Sequence, residues 1–237
     1  IWDTEFAVFI GQSTAILSLR IVCGGNQLMK IINRATWPRN SQYEFFRQVP
    51  TPHFSITASV DVGALVNHRK SEGTSIFNAV LFTIMTAVNT IPEFRMRFRG
   101  DTIVEHDVVH ASPTVPIDND RFAFCSIEYV PDWDRFDRRC TAALDIAKKQ
   151  DQLVEHVNGT DEWIFLSCLP WINFTAMTNP HSGPNDCIPR ITWGKIVEQY
   201  SNWTMPVSVQ AHHALIDGIH MAKFYQALSE AIAAFEK

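Results

Sequence analysis

The sequence predicts an α+β fold, with strands and helices mixed in one domain, and three stretches predict it. Val207 to Leu215 alternates apolar and polar residues, the period-2 pattern of a strand with one apolar face, and a helix follows. Ser75 to Ile91 is apolar nearly all round, which marks a buried helix that Pro92 stops. Arg95 to Phe98 and Thr102 to Glu105 flank Gly100-Asp101, a hairpin signal.

The chain of 237 residues is 46% apolar and 19% charged, enough for a substantial core. Its net charge of -5 argues against a nucleic-acid or anionic-membrane surface. The five cysteines, at 23, 125, 140, 168 and 187, are an odd number and contain no CxxC pair. A disulfide framework or zinc site is not expected, no metal is assigned, and a cytoplasmic location fits. There the sequons at Asn158, Asn173 and Asn202 carry no meaning. Phe6 to Cys23 is apolar but interrupted by Gly11, Gln12, Ser13 and Arg20, too broken for a membrane span. The first methionine is Met29. Residues 1–28 read as an N-terminal extension outside the fold, and 29–237 as the domain, with no repeat or linker inside it.

In chain order, Lys30 to Ile32 reads as a short strand and Arg39 to Phe46 as a helix behind Pro38. Phe54 to Val62 alternates as a strand, and Val62 to Arg69 reads as a short helix. Thr114 to Ile117 and Phe122 to Val130 read as strands. Asp132 or Asp134 caps a helix to about Lys149 with Phe136, Cys140, Ala143 and Ala147 on one stripe. Asp151 to Glu162 is a polar loop. Ile164 to Leu169, Arg190 to Gln199 and Met205 to Ile216 read as strands, and Ile219 to Phe235 as the closing helix.

Chemistry centres on Val207 to Gly218, VSVQAHHALIDG. Alternation puts His213 with the apolar residues and His212 with the polar ones. A desolvated imidazole stays neutral, and a neutral imidazole held in place is what a general base needs near pH 7. Asp217 can cap the following helix, and Gly218 lets the backbone turn tightly. On the local pattern alone, a satisfied core histidine and an ordinary cap explain these residues as well. No glycine-rich phosphate loop, HExxH or paired-carboxylate spacing supports a nucleotide or zinc-hydrolase site.

Four further segments move the balance. HHxxxDG near the C-terminus resembles the chloramphenicol acetyltransferases and, more loosely, the catalytic domains of dihydrolipoyl acyltransferases. TWPRNSQYEFF (36–46), SCLPWINF (167–174), IPRITWGK (188–195) and FYQALSE are similar to successive stretches of the chloramphenicol acetyltransferase family. The resemblance implies a two-layer α/β sandwich, a mixed and largely antiparallel sheet flanked by helices. It also implies a homotrimer with active sites at subunit interfaces, acetyl-CoA as cosubstrate, and a hydroxyl of chloramphenicol or a similar small molecule as acceptor.

By the same resemblance His213 is the general base, and the acceptor oxygen attacks the thioester directly, without an acyl-enzyme. Ser167 supplies the oxyanion donor, Thr192 holds an ordered water nearby, and Asp217 pairs with Arg39 in a buried ion pair. Lys195 meets a CoA phosphate. Phe46, Phe54, Thr114 and Met177 line the acceptor pocket. Met177 and Asn179 depart from the aromatic or aliphatic residues usual there, Phe165 from an asparagine, and Phe46 from a tyrosine. His212, His220 and His106-Asp107 are expected to be bystanders. The alternatives are a dihydrolipoyl-type acyltransferase, against which no lipoyl or subunit-binding segment precedes the domain, and a non-catalytic ligand-sequestering protein. A sequestering protein needs neither base nor oxyanion donor.

Overall fold

The structure, a computed structural model, describes residues 20–23, 27–154, 160–200 and 202–236. Its first elements are β1 (Arg20–Cys23), β2 (Gln27–Ile31), α1 (Asn40–Arg47), β3 (His53–Asp61), α2 (Gly63–Glu72) and α3 (Ile76–Thr90). Next come β4 (Met96–Arg99), β5 (Thr102–His106), β6 (His110–Ile117), β7 (Arg121–Phe124) and α4 (Trp133–Ala147). Last are β8 (Trp163–Leu169), β9 (Arg190–Gly194), β10 (Val197–Gln199), β11 (Asn202–His212) and α5 (Gly218–Ala233). The fold is α+β, as expected. The expected boundary at residue 29 falls inside β2, which pairs with β1 on the edge of a small antiparallel sheet ordered β1-β2-β5-β4. Residues 1–19 and 155–159, the latter part of the expected polar loop, lie outside the described residues.

The larger sheet runs β10-β11-β9-β8-β6-β7, with β3 on the other side of β11. Among the described strands only β6–β8 and β8–β9 are parallel; the remaining pairs are antiparallel. Helices α2, α3 and α5 pack on the large sheet, against β11, β6 and β3 respectively, and α4 packs on α3. α3 carries Leu81, Ile84, Met85 and Val88 at no exposure, and Phe136, Cys140 and Ala147 of α4 are buried as its stripe predicts. Ser75 caps α3 and Asp132 caps α4. Burial of this much apolar surface, at about 25 cal/mol per Å², is the main force closing the two layers.

Three strand expectations need correction. The strand expected over Phe122 to Val130 stops at Phe124. Pro113, which faces Cys125 in the β6–β7 register, has no N–H to donate, and beyond Phe124 only the isolated bridge Ala111–Ile127 remains. The strand expected over Arg190 to Gln199 is two strands, because Lys195 turns its N–H to Ile172 O at 2.9 Å. The last strand ends at His212, so His213 opens a turn and strand alternation does not orient it.

The glycines differ in what they permit. A Cβ on Gly194 would lie 2.6 Å from both Ile172 O and Pro206 Cγ, so only glycine lets the segment after β8 cross β9 closely. Gly218, expected to permit a tight turn, has open space around it and no left-handed φ. Gly194→Ala should therefore cost about 1–3 kcal/mol through overpacking. Gly218→Ala should stay within about 0.5 kcal/mol. Denaturant midpoints at constant m-value check both; equal losses would contradict the packing described.

Candidate active site

The face of the large sheet away from the helices is polar, and register makes it so. Thr57 on β3 is the partner of Ser208 on β11, Ser208 of Thr192 on β9, and Thr192 of Ser167 on β8. Thr114 on β6 comes next, its Oγ1 donating to Ser167 Oγ at 3.3 Å. Paired residues share a face, so five strands present one row of hydroxyls. The neighbouring row is Ser55, Gln210, Arg190, Phe165 and Ser112. Arg190 is charge-neutralised by Asp186, its guanidinium 5.3 Å from the Phe165 ring centre.

Segment 177–184 covers part of this face because the buried side chains of β11 need partners. Ser208 Oγ donates to Met177 O at 3.2 Å. Gln210 accepts from Asn179 N–H at 2.6 Å and returns a bond to Asn179 O at 2.9 Å. His212 Nε2–H donates to Pro184 O at 2.9 Å while its Nδ1 accepts from Ala214 N–H at 3.1 Å, which fixes the neutral tautomer. Burial pushes His212 down to about 4, and the Pro184 carbonyl, working the other way, is outweighed. His212 is thus a structural post, 1% exposed. Residues of both parities are buried on β11, so alternation there separates polar from apolar, not outside from inside.

A cavity of about 920 Å³ opens between β6, β8 and the covering segment. Ser167, Thr114, Met177 and Asn179 stand on its wall among Phe122, Phe124, Phe165 and Trp171. Because Thr114 donates to Ser167, the Ser167 proton is left to serve another oxygen. Thr192 is fully buried, and its hydroxyl donates to Asn179 Oδ1 at 3.2 Å.

His213 stands elsewhere in the chain. Its ring stacks on Phe46 of α1 with centroids 3.9 Å apart and leans on Phe54 of β3 at 4.5 Å. Its backbone N–H donates to Pro52 O at 2.9 Å, and its Nδ1 is buried without a hydrogen-bond partner among the described residues. The expected pair of Arg39 and Asp217 is formed, with both side chains largely buried. Asp217 also caps α5 through Ile219 N–H. Burial raises the Asp217 carboxyl, but the Arg39 hydrogen bond and charge outweigh it and hold it below the usual carboxylate range. Neither His213 nor Phe46 lines the Ser167 cavity. Of the four expected acceptor residues, Thr114 and Met177 stand with Ser167, whereas Phe46 and Phe54 clamp His213; Phe54 and Met177 also line a second cavity.

The matching family model is that of chloramphenicol acetyltransferase, over residues 28–229. The chain belongs to the chloramphenicol acetyltransferase family. It is 28% identical over 201 residues to chloramphenicol acetyltransferase 2 of Escherichia coli, covering 83% of this chain and 93% of that one. It is 29% identical to the chloramphenicol acetyltransferase of Streptomyces acrimycini, covering 85% and 93%. A solved chloramphenicol acetyltransferase superposes with a TM-score of 0.81 at 28% identity, over 86% of this chain and 99% of that one. A probable dihydrolipoamide acetyltransferase from Listeria monocytogenes superposes at 0.63 with 16% identity over 87% and 94%, a likeness of fold alone.

Sequence reasoning missed several supports. His220 completes a capping box, its Nδ1 accepting from Asp217 N–H at 3.0 Å, with Nε2 3.4 Å from Glu93. A histidine three residues after a capping aspartate is the readable sign. His106 bonds Asp161 at 2.8 Å, which Arg99 also grips with two bonds. The adjacent Asp107 shares none of this, and nothing local in the sequence singles out Asp161.

The buried histidines set a pH window. Burial lowers His53, His110 and His212 from an ordinary 6.5, so between that value and about 4 the unfolded chain binds more protons than the folded one. Their contribution is complete above pH 6.5 and is lost as pH falls toward about 4. Thermal melts should fall across that window. His212→Gln, which cannot titrate, should start lower and lose less. A wild-type protein equally stable at both ends would contradict the assignment.

Proposed function

We propose that the domain over residues 29–237 transfers acetyl from acetyl-CoA to a hydroxyl of chloramphenicol or a small molecule of similar kind. His213 takes the proton of the acceptor hydroxyl as the oxygen attacks the thioester carbonyl carbon. The tetrahedral oxyanion accepts a hydrogen bond from Ser167, a contact that strengthens only as charge develops. Collapse breaks the carbon–sulfur bond, and the CoA sulfur leaves with the proton that His213 held. No covalent acyl-enzyme is needed.

What supports this reading above all is the family relationship of a chain whose Ser167, with a hydroxyl proton to give, faces a large and mainly apolar cavity. The ring clamp on His213 and the Arg39–Asp217 pair give the base the fixed position that proton transfer requires. Lys195, exposed just beyond β9 and paired with no carboxylate among the described residues, is our assignment for a CoA phosphate.

His213 does not line the cavity that Ser167 faces, and we assign their meeting to a subunit interface in a homotrimer, His213 of one subunit facing the Ser167 cavity of the next. Such an interface also covers Phe45 and Trp171, which are 65% and 68% exposed in the single chain.

The direct assay is thiol release from acetyl-CoA with and without chloramphenicol. His213→Ala should lower the rate about 10²–10⁴-fold with little change in the melt. Ser167→Ala should lower kcat about 10²-fold with KM nearly unchanged. Light scattering should give a trimer. Thiol release at the wild-type rate in the His213 variant, or full activity in a monomer, would refute the proposal.

A further inference from the structure

Asn179 is held more firmly than a pocket wall requires. Gln210 clamps its backbone from both sides, at 2.6 and 2.9 Å, and Thr192 fixes its Oδ1 at 3.2 Å. Gln210 and Thr192 are themselves buried in the sheet, at 4% and 0% exposure. The amide is therefore preorganised, and its Nδ2, with two protons to donate, is buried with no hydrogen-bond partner among the described residues. A buried donor left unpaired is costly and calls for an explanation. Asn179 stands on the wall of the Ser167 cavity, whose surroundings are largely rings and aliphatic groups, and it also borders the second cavity beside Phe54. Of the two arginines on the cavity wall, Arg190 is neutralised by Asp186, and Arg121 gives its Nε and one Nη to the backbone carbonyls of Asp118 and Asp151. A donor fixed at one place in an apolar cavity orients a ligand and selects for its chemistry.

We infer that Asn179 is a specificity-determining residue whose Nδ2 donates to an uncharged oxygen of the acyl acceptor, a carbonyl or carboxamide oxygen borne beside the reacting hydroxyl. This rests on the acetyltransferase reading. The substrate class is thus primary or secondary alcohols that also carry an amide or ketone oxygen, in preference to purely hydrocarbon alcohols. A site with a buried donor discriminates against a ligand lacking the matching acceptor, because that ligand leaves the donor unpaired.

The test uses a matched pair of alcohols, N-(2-hydroxyethyl)benzamide and 4-phenylbutan-1-ol, in which two methylenes replace the amide. Their KM values in acetyl transfer and their affinities by titration calorimetry are measured for the wild type, Asn179→Leu and Asn179→Asp. The carboxylate of the second variant keeps the size and the acceptor that Thr192 needs but loses both N–H donors. The preference for the amide over the hydrocarbon should fall about threefold to tenfold in both variants, as for one neutral hydrogen bond, with the KM for acetyl-CoA unchanged. An unchanged preference in both variants overturns the inference, and so does a fall with Leu alone, which would assign the effect to the Thr192 contact. If the wild type acetylates neither alcohol nor chloramphenicol, the acetyltransferase reading fails. The calorimetric preference still decides the role of Nδ2 in that case.

Discussion

Three polar side chains on one strand, Ser208, Gln210 and His212, lie where water does not reach, and the rest of the site follows from satisfying them. β11 is flanked by β3 on one side and by β9 and β10 on the other, and its apolar residues Val207, Val209 and Ala211 pack toward the helices. Its polar residues must then be answered from the opposite layer, since an unanswered buried group costs about 1–3 kcal/mol. Segment 177–184 answers all three through its backbone at Met177, Asn179 and Pro184. Docking that segment places Met177 and Asn179 beside Ser167 and so makes the wall of a cavity. Sheet stability and pocket shape therefore depend on the same hydrogen bonds.

The second dependence is between α1 and the turn after β11. Arg39 enters from the start of α1 and Phe46 from its end; between them they hold Asp217 and His213, four residues apart. The carboxylate has two duties there, capping α5 and pairing with Arg39, and His220 secures the cap from below. Through these two contacts Asp217 fixes the position of the turn. The hydroxyl row is held by strand register and the imidazole by the rings of Phe46 and Phe54, and β3 contributes to both through Thr57 and Phe54.

Much of this was legible in the sequence where the signal is local. The largely apolar α3, the Gly100 turn between β4 and β5, and the cap at Asp217 each follow from residues within a few positions of one another. The residues HHxxxDG and the Ser-Cys-Leu-Pro-Trp stretch pointed to the family. Alternation in 207–212 correctly separated polar from apolar residues but does not extend to His213, which lies in the turn, and it could not say that both sets are buried, because the covering segment lies about thirty residues away. For the same reason the structural role of His212 was not legible. Breaks at Phe124 and Gly194 were likewise invisible, set by one proline on the partner strand and by one close carbonyl. The partnering of Thr114 with Ser167 required the register of β6 on β8, which no single strand encodes.

The claim that the site is shared between subunits is tested most directly by mixing its halves. His213→Ala and Ser167→Ala subunits, each inactive alone, are unfolded together, refolded in equal amounts, and assayed for acetyl transfer to chloramphenicol. If His213 of one subunit meets Ser167 of the next, random assembly leaves both groups intact at about one interface in four, and about a quarter of the wild-type rate returns. Mixed assemblies that form and stay inactive would place both groups in one subunit and contradict the account.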